Sequence, residues 1–244
     1  MRRIGFSTGA LAKGDFREGI RLQRDIADAI ELSALREDEL DPLVSAIEEL
    51  DLTSFHYISF HAPSQLQKWT ERELVERLVK LPFKISSVIV HPNIISDFEV
   101  WNRLGSRLAI ENMDQRYLVG RTSRELENFF DRLSEAKFCL DIGHARQVDP
   151  TMSVAAQLLM KYGDRLSEIH ISEVDADSHH CAISTIACQA FQRILSHIDQ
   201  MVPAIIESVV DPGAIDDEFQ MARRCFCELN YRHVTPNSAS APVY

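Results

Sequence analysis

At 244 residues with 45% apolar side chains, the chain can bury a sizeable core; the length would suit two average domains, but one α/β barrel of this size is routine. Its 37 acidic against 26 basic residues leave a formal charge of −11, which repels nucleic acid phosphates unless a local basic groove offsets it. The five cysteines (Cys139, Cys181, Cys188, Cys225, Cys227) are odd in number and hold no C-x2-C pair, so they read as reduced thiols, mostly core fillers.

The N-terminal stretch MRRIGFSTGALAKG has two arginines but no apolar h-region, so no signal peptide is expected. Within it RRIGFS, at 2–7, is the first strand-like run, and 3.6-residue spacing predicts a helix over 15–28. IELS follows with Glu31, then a helix over 37–50. YISFH closes on His61 before a helix over 69–80. VIVH closes on His91, Ser96-Asp97 opens a helix over 97–104, and the short connection predicts a single distorted stretch. LAIE closes on Glu111; Thr122-Ser123-Arg124-Glu125 has the form of a capping box for a helix over 122–136, with Thr122 or Ser123 as N-cap. FCLD closes on Asp141, a turn at Gly143 can bring His144 back toward the same pocket, and Asp149-Pro150 opens a helix over 152–163. EIHIS carries His170 and leads into the polar loop Asp175-Ala176-Asp177-Ser178-His179-His180, then a helix over 186–199. AIIE closes on Glu207 before a helix over 214–229. The tail 231–244, with HVTPNSASAPVY from 233, has the composition of a frayed or surface-docked end. No run approaches the roughly 18 apolar residues that span a bilayer. A soluble cytoplasmic protein is expected.

Strictly alternating βα units predict a parallel sheet with right-handed crossovers. An open doubly wound sheet would gather its functional residues at one switch point, whereas here they end almost every strand. Closure into a single-domain (β/α)8 TIM barrel over 1–230 is therefore predicted. The C-terminal strand ends of such a barrel share the face that carries the active site. Six runs would deliver His61, His91, Glu111, Asp141, His170 and Glu207 into one pocket, a mixture of imidazole and carboxylate suited to divalent cations. Packed carboxylates need cations to offset their repulsion. His144 and the Asp175–His180 loop could add a further ligand set.

FHAP (60–63), VHPN (90–93), IEN (110–112), LDIGHA (140–145), IHIS (169–172), DSHH (177–180) and IIES (205–208) resemble, in order, the motifs of the xylose-isomerase-like TIM-barrel superfamily. Within it they most resemble the endonuclease IV branch, over residues 1 to about 230. The resemblance implies three divalent ions. His61, His91 and Glu111 would hold the first; Glu111 would bridge to a second, completed by Asp141, His170 and Glu207; His144, Asp177 and His179 would hold the third. His180 could replace His179, and Asp175 could replace Asp177. The sugar isomerase and epimerase branch implies one metal on Glu111, Asp141, His170 and Glu207.

A two- or three-ion site, with Zn or Mn favoured and Fe possible, suits hydrolysis of a phosphoester, Glu111 or Glu207 positioning the attacking hydroxide. With one ion the alternative is sugar or sugar-phosphate isomerisation or epimerisation, Glu111 and Glu207 shuttling a proton as acid and base. A non-catalytic or iron-oxidative metal protein is the third reading. The catalytic candidates are Glu111, Glu207 and His144. Ser64 follows Pro63 where DNA-binding relatives carry a wedging aromatic, and Trp69 lies in the next helix-like stretch. With the −11 charge, this argues against duplex DNA as a partner and makes a small phosphorylated or sugar-like substrate the expectation. Arg36, Lys68, Arg116 and Arg146 are the candidates to meet a substrate phosphate.

Overall fold

The structure, a computed structural model, describes residues 2–227. Eight parallel strands close into a barrel: β1 (Ile4–Ser7), β2 (Ala29–Ser33), β3 (Tyr57–His61), β4 (Ser87–Val90), β5 (Leu108–Glu111), β6 (Lys137–Asp141), β7 (Leu166–Ile171) and β10 (Ala204–Ile206). Each pairs with its neighbour in sequence, and Ile4 beside Ala204 closes the ring. The predicted (β/α)8 TIM barrel is the observed architecture. His91 and Glu207 sit one residue beyond their strands. After β7 the chain forms a small antiparallel hairpin, β8 (Glu173–Val174) with β9 (His180–Cys181), where the sequence suggested only a polar loop.

The strands divide their side chains by their two-residue period. One set, such as Ile30 and Leu32 or Ile58 and Phe60, belongs to the main apolar core between sheet and helices. The other set faces the barrel axis. There, among the described residues, two small apolar clusters form, Ala29–Tyr57–Ile205 and Ile89–Ala109–Cys139. The rest of the axial space is polar and fully buried: Glu31, Ser59, Glu111, Asp141, Glu168 and His170 are each at most 1% exposed.

The helices are α1 (Thr8–Ala12), α2 (Phe16–Gln23), α3 (Glu37–Ala46), α4 (Glu71–Leu78), α5 (Phe98–Trp101), α6 (Glu127–Arg132), α7 (Ile142–Val148), α8 (Ser153–Tyr162), α9 (Thr185–Leu195) and α10 (Ile215–Cys225). Periodic patterning runs past the hydrogen-bonded segments, so most are shorter than predicted. The distorted stretch after β4 is α5 followed by 3-10 turns through Arg107, with Gly105 at φ 53°. At 122–125 the capping box is half formed: Thr122 Oγ1 accepts the Glu125 N–H at 3.3 Å, but Glu125 turns its carboxylate to the Arg121 N–H and guanidinium. The helix starts at Glu127 instead.

Two short helices, α1 and α7, were not predicted. α7 replaces the expected turn at Gly143: Asp141 is its N-cap and accepts the His144 N–H at 2.6 Å. Gly143 is required there by crowding, because a Cβ would lie 2.5 Å from the Ser172 carbonyl oxygen. The tail 231–244 and the end of the last predicted helix lie outside the described residues. No helix among the described residues is long and apolar enough to cross a membrane. All five cysteines are free, and Cys139, Cys188 and Cys225 are buried as expected of core fillers.

Candidate metal centre

Glu111, at the end of β5, is surrounded by imidazoles. Its Oε2 lies 3.2 Å from His61 Nε2 and 3.2 Å from His91 Nε2; its Oε1 lies 3.4 Å from His144 Nδ1 and 3.4 Å from His170 Nδ1. Glu207 Oε2 is 3.3 Å from the same His170 Nδ1 and 3.6 Å from His180 Nδ1. Asp141 offers Oδ2, buried and without a hydrogen-bond partner, 3.4 Å from His144 Nδ1.

Ring orientation is set from outside the cluster. His61 Nδ1 donates to the Ala62 carbonyl at 2.8 Å, and a carbonyl can only accept, so it is Nε2 that faces Glu111, with a lone pair when the ring is neutral and a proton when it is charged. His144 Nδ1 donates to the Asn112 carbonyl at 2.9 Å, so in the neutral ring Nε2 carries the lone pair. That Nε2 faces His180 Nε2 at 3.3 Å. His170 donates Nε2–H to Glu168 at 2.9 Å and turns Nδ1, without a hydrogen-bond partner, toward Glu111 and Glu207. Lone pairs aimed at lone pairs and carboxylates repel unless a proton or a cation lies between them.

A metal ion fits these spacings. Two nitrogens bound to one tetrahedral ion at about 2.0–2.1 Å stand about 3.3 Å apart. Ligand atoms converge in three overlapping groups: His61–Glu111–His170, Glu111–Asp141–His170–Glu207, and Asp141–His144–His180. A fourth group, Cys139–Glu168–His170, lies deeper, where burial pushes the Cys139 thiol well up and keeps it protonated.

Of the nine candidate ligands, seven come together: His61, His91, Glu111, Asp141, His144, His170 and Glu207. Asp177 and His179 do not. They sit at the tip of the β8–β9 hairpin, where Asp175 accepts the backbone N–H of both, at 2.8 and 2.9 Å. The His179 ring is 75% exposed, 3.4 Å from Asp175, at the rim of the cavity. Neighbours on a strand point to opposite faces, so the hairpin turns His179 outward and His180 inward, where Ser172 Oγ meets its Nδ1 at 2.8 Å.

Several residues had no role assigned from sequence. Asn112 ties β5 to β6, its amide bonding the Asp141 N–H and carbonyl at 2.9 Å each. Asp114, buried beside His144, takes the Arg116 guanidinium on both oxygens. Glu168 and Glu31 lie beneath His170. Glu31 had its signal in the sequence, as a strand-ending acid; Asn112, directly after Glu111, had a weaker one. Glu168 had one that went unused: two residues before His170 in the same strand run, it shares that residue's face.

The cluster lies at the bottom of a cavity of about 1040 Å³. Arg36, Lys68, Arg116, Gln65 and Tyr117 line its upper part. Arg146 is not among the lining residues and pairs instead with Glu173 at 3.0 Å.

The electrostatics follow from crowding. Burial disfavours a charged His61, yet Glu31, Glu111 and Glu207 outweigh it and raise the imidazole to about 9. Burial likewise opposes protonation of His144 and His170, and nearby acids overcome it in both. At His180 burial prevails and lowers the imidazole to about 4; it also lowers His91. Glu111 and Glu207 are held well below the usual carboxylate range: burial opposes this, and His170 with the other imidazoles overrides it. Without metal, protonated histidines balance the acids. A bound ion would take over that balance and displace the protons.

The closed barrel can now be set against known structures. Endonuclease IV from Thermus thermophilus superposes with a TM-score of 0.61 at 19% identity, over 91% of this chain and 98% of its own. The fold is that of the endonuclease IV and xylose isomerase-like barrels. A xylose isomerase-like TIM barrel protein from Mycobacterium smegmatis, in complex with magnesium, matches at 0.56 and 14% identity over 93% and 98% of the two chains. A proposed sugar phosphate isomerase/epimerase from Anabaena variabilis matches at 0.57 and 14% over 100% and 92%. No family model matches the sequence, and no curated protein is similar to it in sequence.

Proposed function

We propose that the chain is a divalent-metal-dependent hydrolase acting on a phosphoester of a small or sugar-like substrate through two or three ions. The observation that carries this is the convergence of imidazole ring nitrogens on buried carboxylates, at ligand-to-ligand spacing, beneath an open cavity. His61, His91 and Glu111 would hold one ion. Glu111, Asp141, His170 and Glu207 would hold a second, and His144 with His180 would hold a third, His180 taking the place expected of His179. Zn or Mn suits this ligand set best, and Fe is also compatible.

Bound ions would neutralise phosphoryl charge and activate a water. The chain's own groups do the rest. Glu207, at 12% the most exposed carboxylate of the cluster, is ionised and can orient the attacking water. His144 also lines the cavity, alongside His61, His91 and His180. Arg36, Lys68 and Arg116 offer N–H donors at the height where a substrate phosphate would project, Arg116 as a planar fork held by Asp114. A small substrate is favoured over duplex DNA by the −11 charge and by Trp69, which is partly buried beneath the Arg77 guanidinium at 4.1 Å instead of standing free to wedge. The free cysteines support a cytoplasmic location.

The second reading is a one-metal sugar or sugar-phosphate isomerase or epimerase. The four-residue group Glu111–Asp141–His170–Glu207 supports it, since it is a complete ligand set without the outer histidines. A screen of phosphodiesters, phosphomonoesters and free or phosphorylated ketoses separates the two, run together with elemental analysis. For the hydrolase, His144→Ala and His180→Ala each lower the metal count by one and reduce phosphoesterase activity at least ~100-fold, on the scale of losing a catalytic metal ligand. His179→Ala leaves both near wild type. Ketose conversion that survives His144→Ala and His180→Ala establishes the isomerase instead. Full metal content with no turnover of either class leaves the third reading, a non-catalytic or iron-oxidative metal protein.

A further inference from the structure

The floor of the barrel holds two carboxylates that the proposed chemistry does not use. Glu168, two residues before His170 on β7, is fully buried. Its Oε1 accepts His170 Nε2–H at 2.9 Å and Ser59 Oγ–H at 3.2 Å; its Oε2 accepts Tyr57 O–H at 2.5 Å. Three donors from two strands thus fix one carboxylate. Glu31 Oε2 approaches the same His170 Nε2 at 3.1 Å but makes no hydrogen bond, while its Oε1 takes Ser33 Oγ–H at 3.3 Å.

The two histidines with a backbone-anchored Nδ1 turn Nε2 inward, His61 toward Glu111 and His144 toward His180. His170 is inverted. Its Nε2 is held from below by a carboxylate and it presents Nδ1. A carboxylate on the far nitrogen of a metal-facing histidine fixes the tautomer and makes the ring a stronger donor. Two buried acids converge here on a single N–H, an excess of negative charge that cations above His170 would offset.

We infer that Glu168 is a positioning residue for the metal centre, locking His170 with Nδ1 toward Glu111 and Glu207, the carboxylates that with it would hold an ion. Glu31 adds charge to the same floor without holding the ring. The inference rests on the metal reading above.

Cobalt(II) titration of the apoprotein, with a competing chelator and the visible spectrum as readouts, tests both separately. Wild-type protein that binds no cobalt sinks the metal reading before any variant is made. Given wild-type binding, Glu168→Ala should weaken the ion on His170 by about 10–100-fold and change the cobalt spectrum. Glu168→Gln keeps a carbonyl acceptor for Nε2–H and should recover most of the affinity. Wild-type affinity and spectrum in Glu168→Ala overturn the inference. So does a Glu168→Gln protein as impaired as Glu168→Ala, since acceptor geometry would then not be what matters. Should Glu168→Ala fail to fold by circular dichroism, the Tyr57→Phe, Ser59→Ala double variant, which frees Glu168 from its other anchors, should show weaker binding and a broadened spectrum; unchanged cobalt binding there also overturns it.

Discussion

Glu111→Gln is expected to remove at least one ion per chain and to abolish turnover. Glu111 is the only carboxylate that reaches four imidazoles among the described residues, two through each oxygen. It joins two of the ligand groups. Gln removes the charge and replaces one acceptor oxygen with an NH2 that repels both a cation and an imidazole N–H. The variant should also lose the stabilisation that metal supplies by mass action, about 4 kcal/mol when the ion is at roughly 1,000 times its dissociation constant. For a chain of this size that corresponds to a fall in Tm of roughly 10 °C. Melting curves with and without chelator check this: the wild type should show the gap and Glu111→Gln should nearly lose it. Wild-type metal content and turnover in the variant would place the active site elsewhere.

The second large effect is a pH dependence whose sign differs between the metal-free and metal-loaded protein. His61 is raised from 6.5 to about 9 in the metal-free cluster. Its protonation therefore stabilises the fold fully below about pH 6.5, and that stability is lost as pH rises through about 9. At about 1.4 kcal/mol per pH unit, the contribution is about 3 kcal/mol, and His144 and His170 act in the same direction. Metal ligation needs the neutral imidazole, so affinity climbs over the same window and binding releases protons. The Tm gap between metal-loaded and chelated protein should widen steadily from about pH 6.5 to about 9. A constant or narrowing gap would show that these histidines do not exchange protons for metal.

Much of the centre was legible because the relevant relations are local. Each strand-ending residue, from His61 to Glu207, is marked by the apolar run before it, and a parallel barrel brings those ends to one face whatever lies between. α1 and α7 were missed because each is a turn or two stabilised from outside: α7 by Asp141 and by the clearance at Gly143. The helix over 122–136 was overextended because Glu125 met Arg121 instead of closing the capping box.

The sequence by itself determined the barrel, the face on which its chemistry lies, and the inner imidazoles and carboxylates, since two-residue alternation and strand ends follow from the order of residues alone. Only the tertiary structure decided that His180 and not His179 turns inward, because that depends on the pairing of β8 with β9. It alone oriented His61, His144 and His170, whose far nitrogens are set by Ala62, Asn112 and Glu168. The polar floor of Tyr57, Ser59 and Glu168 joins residues 111 positions apart, and only closure of the barrel brings them together.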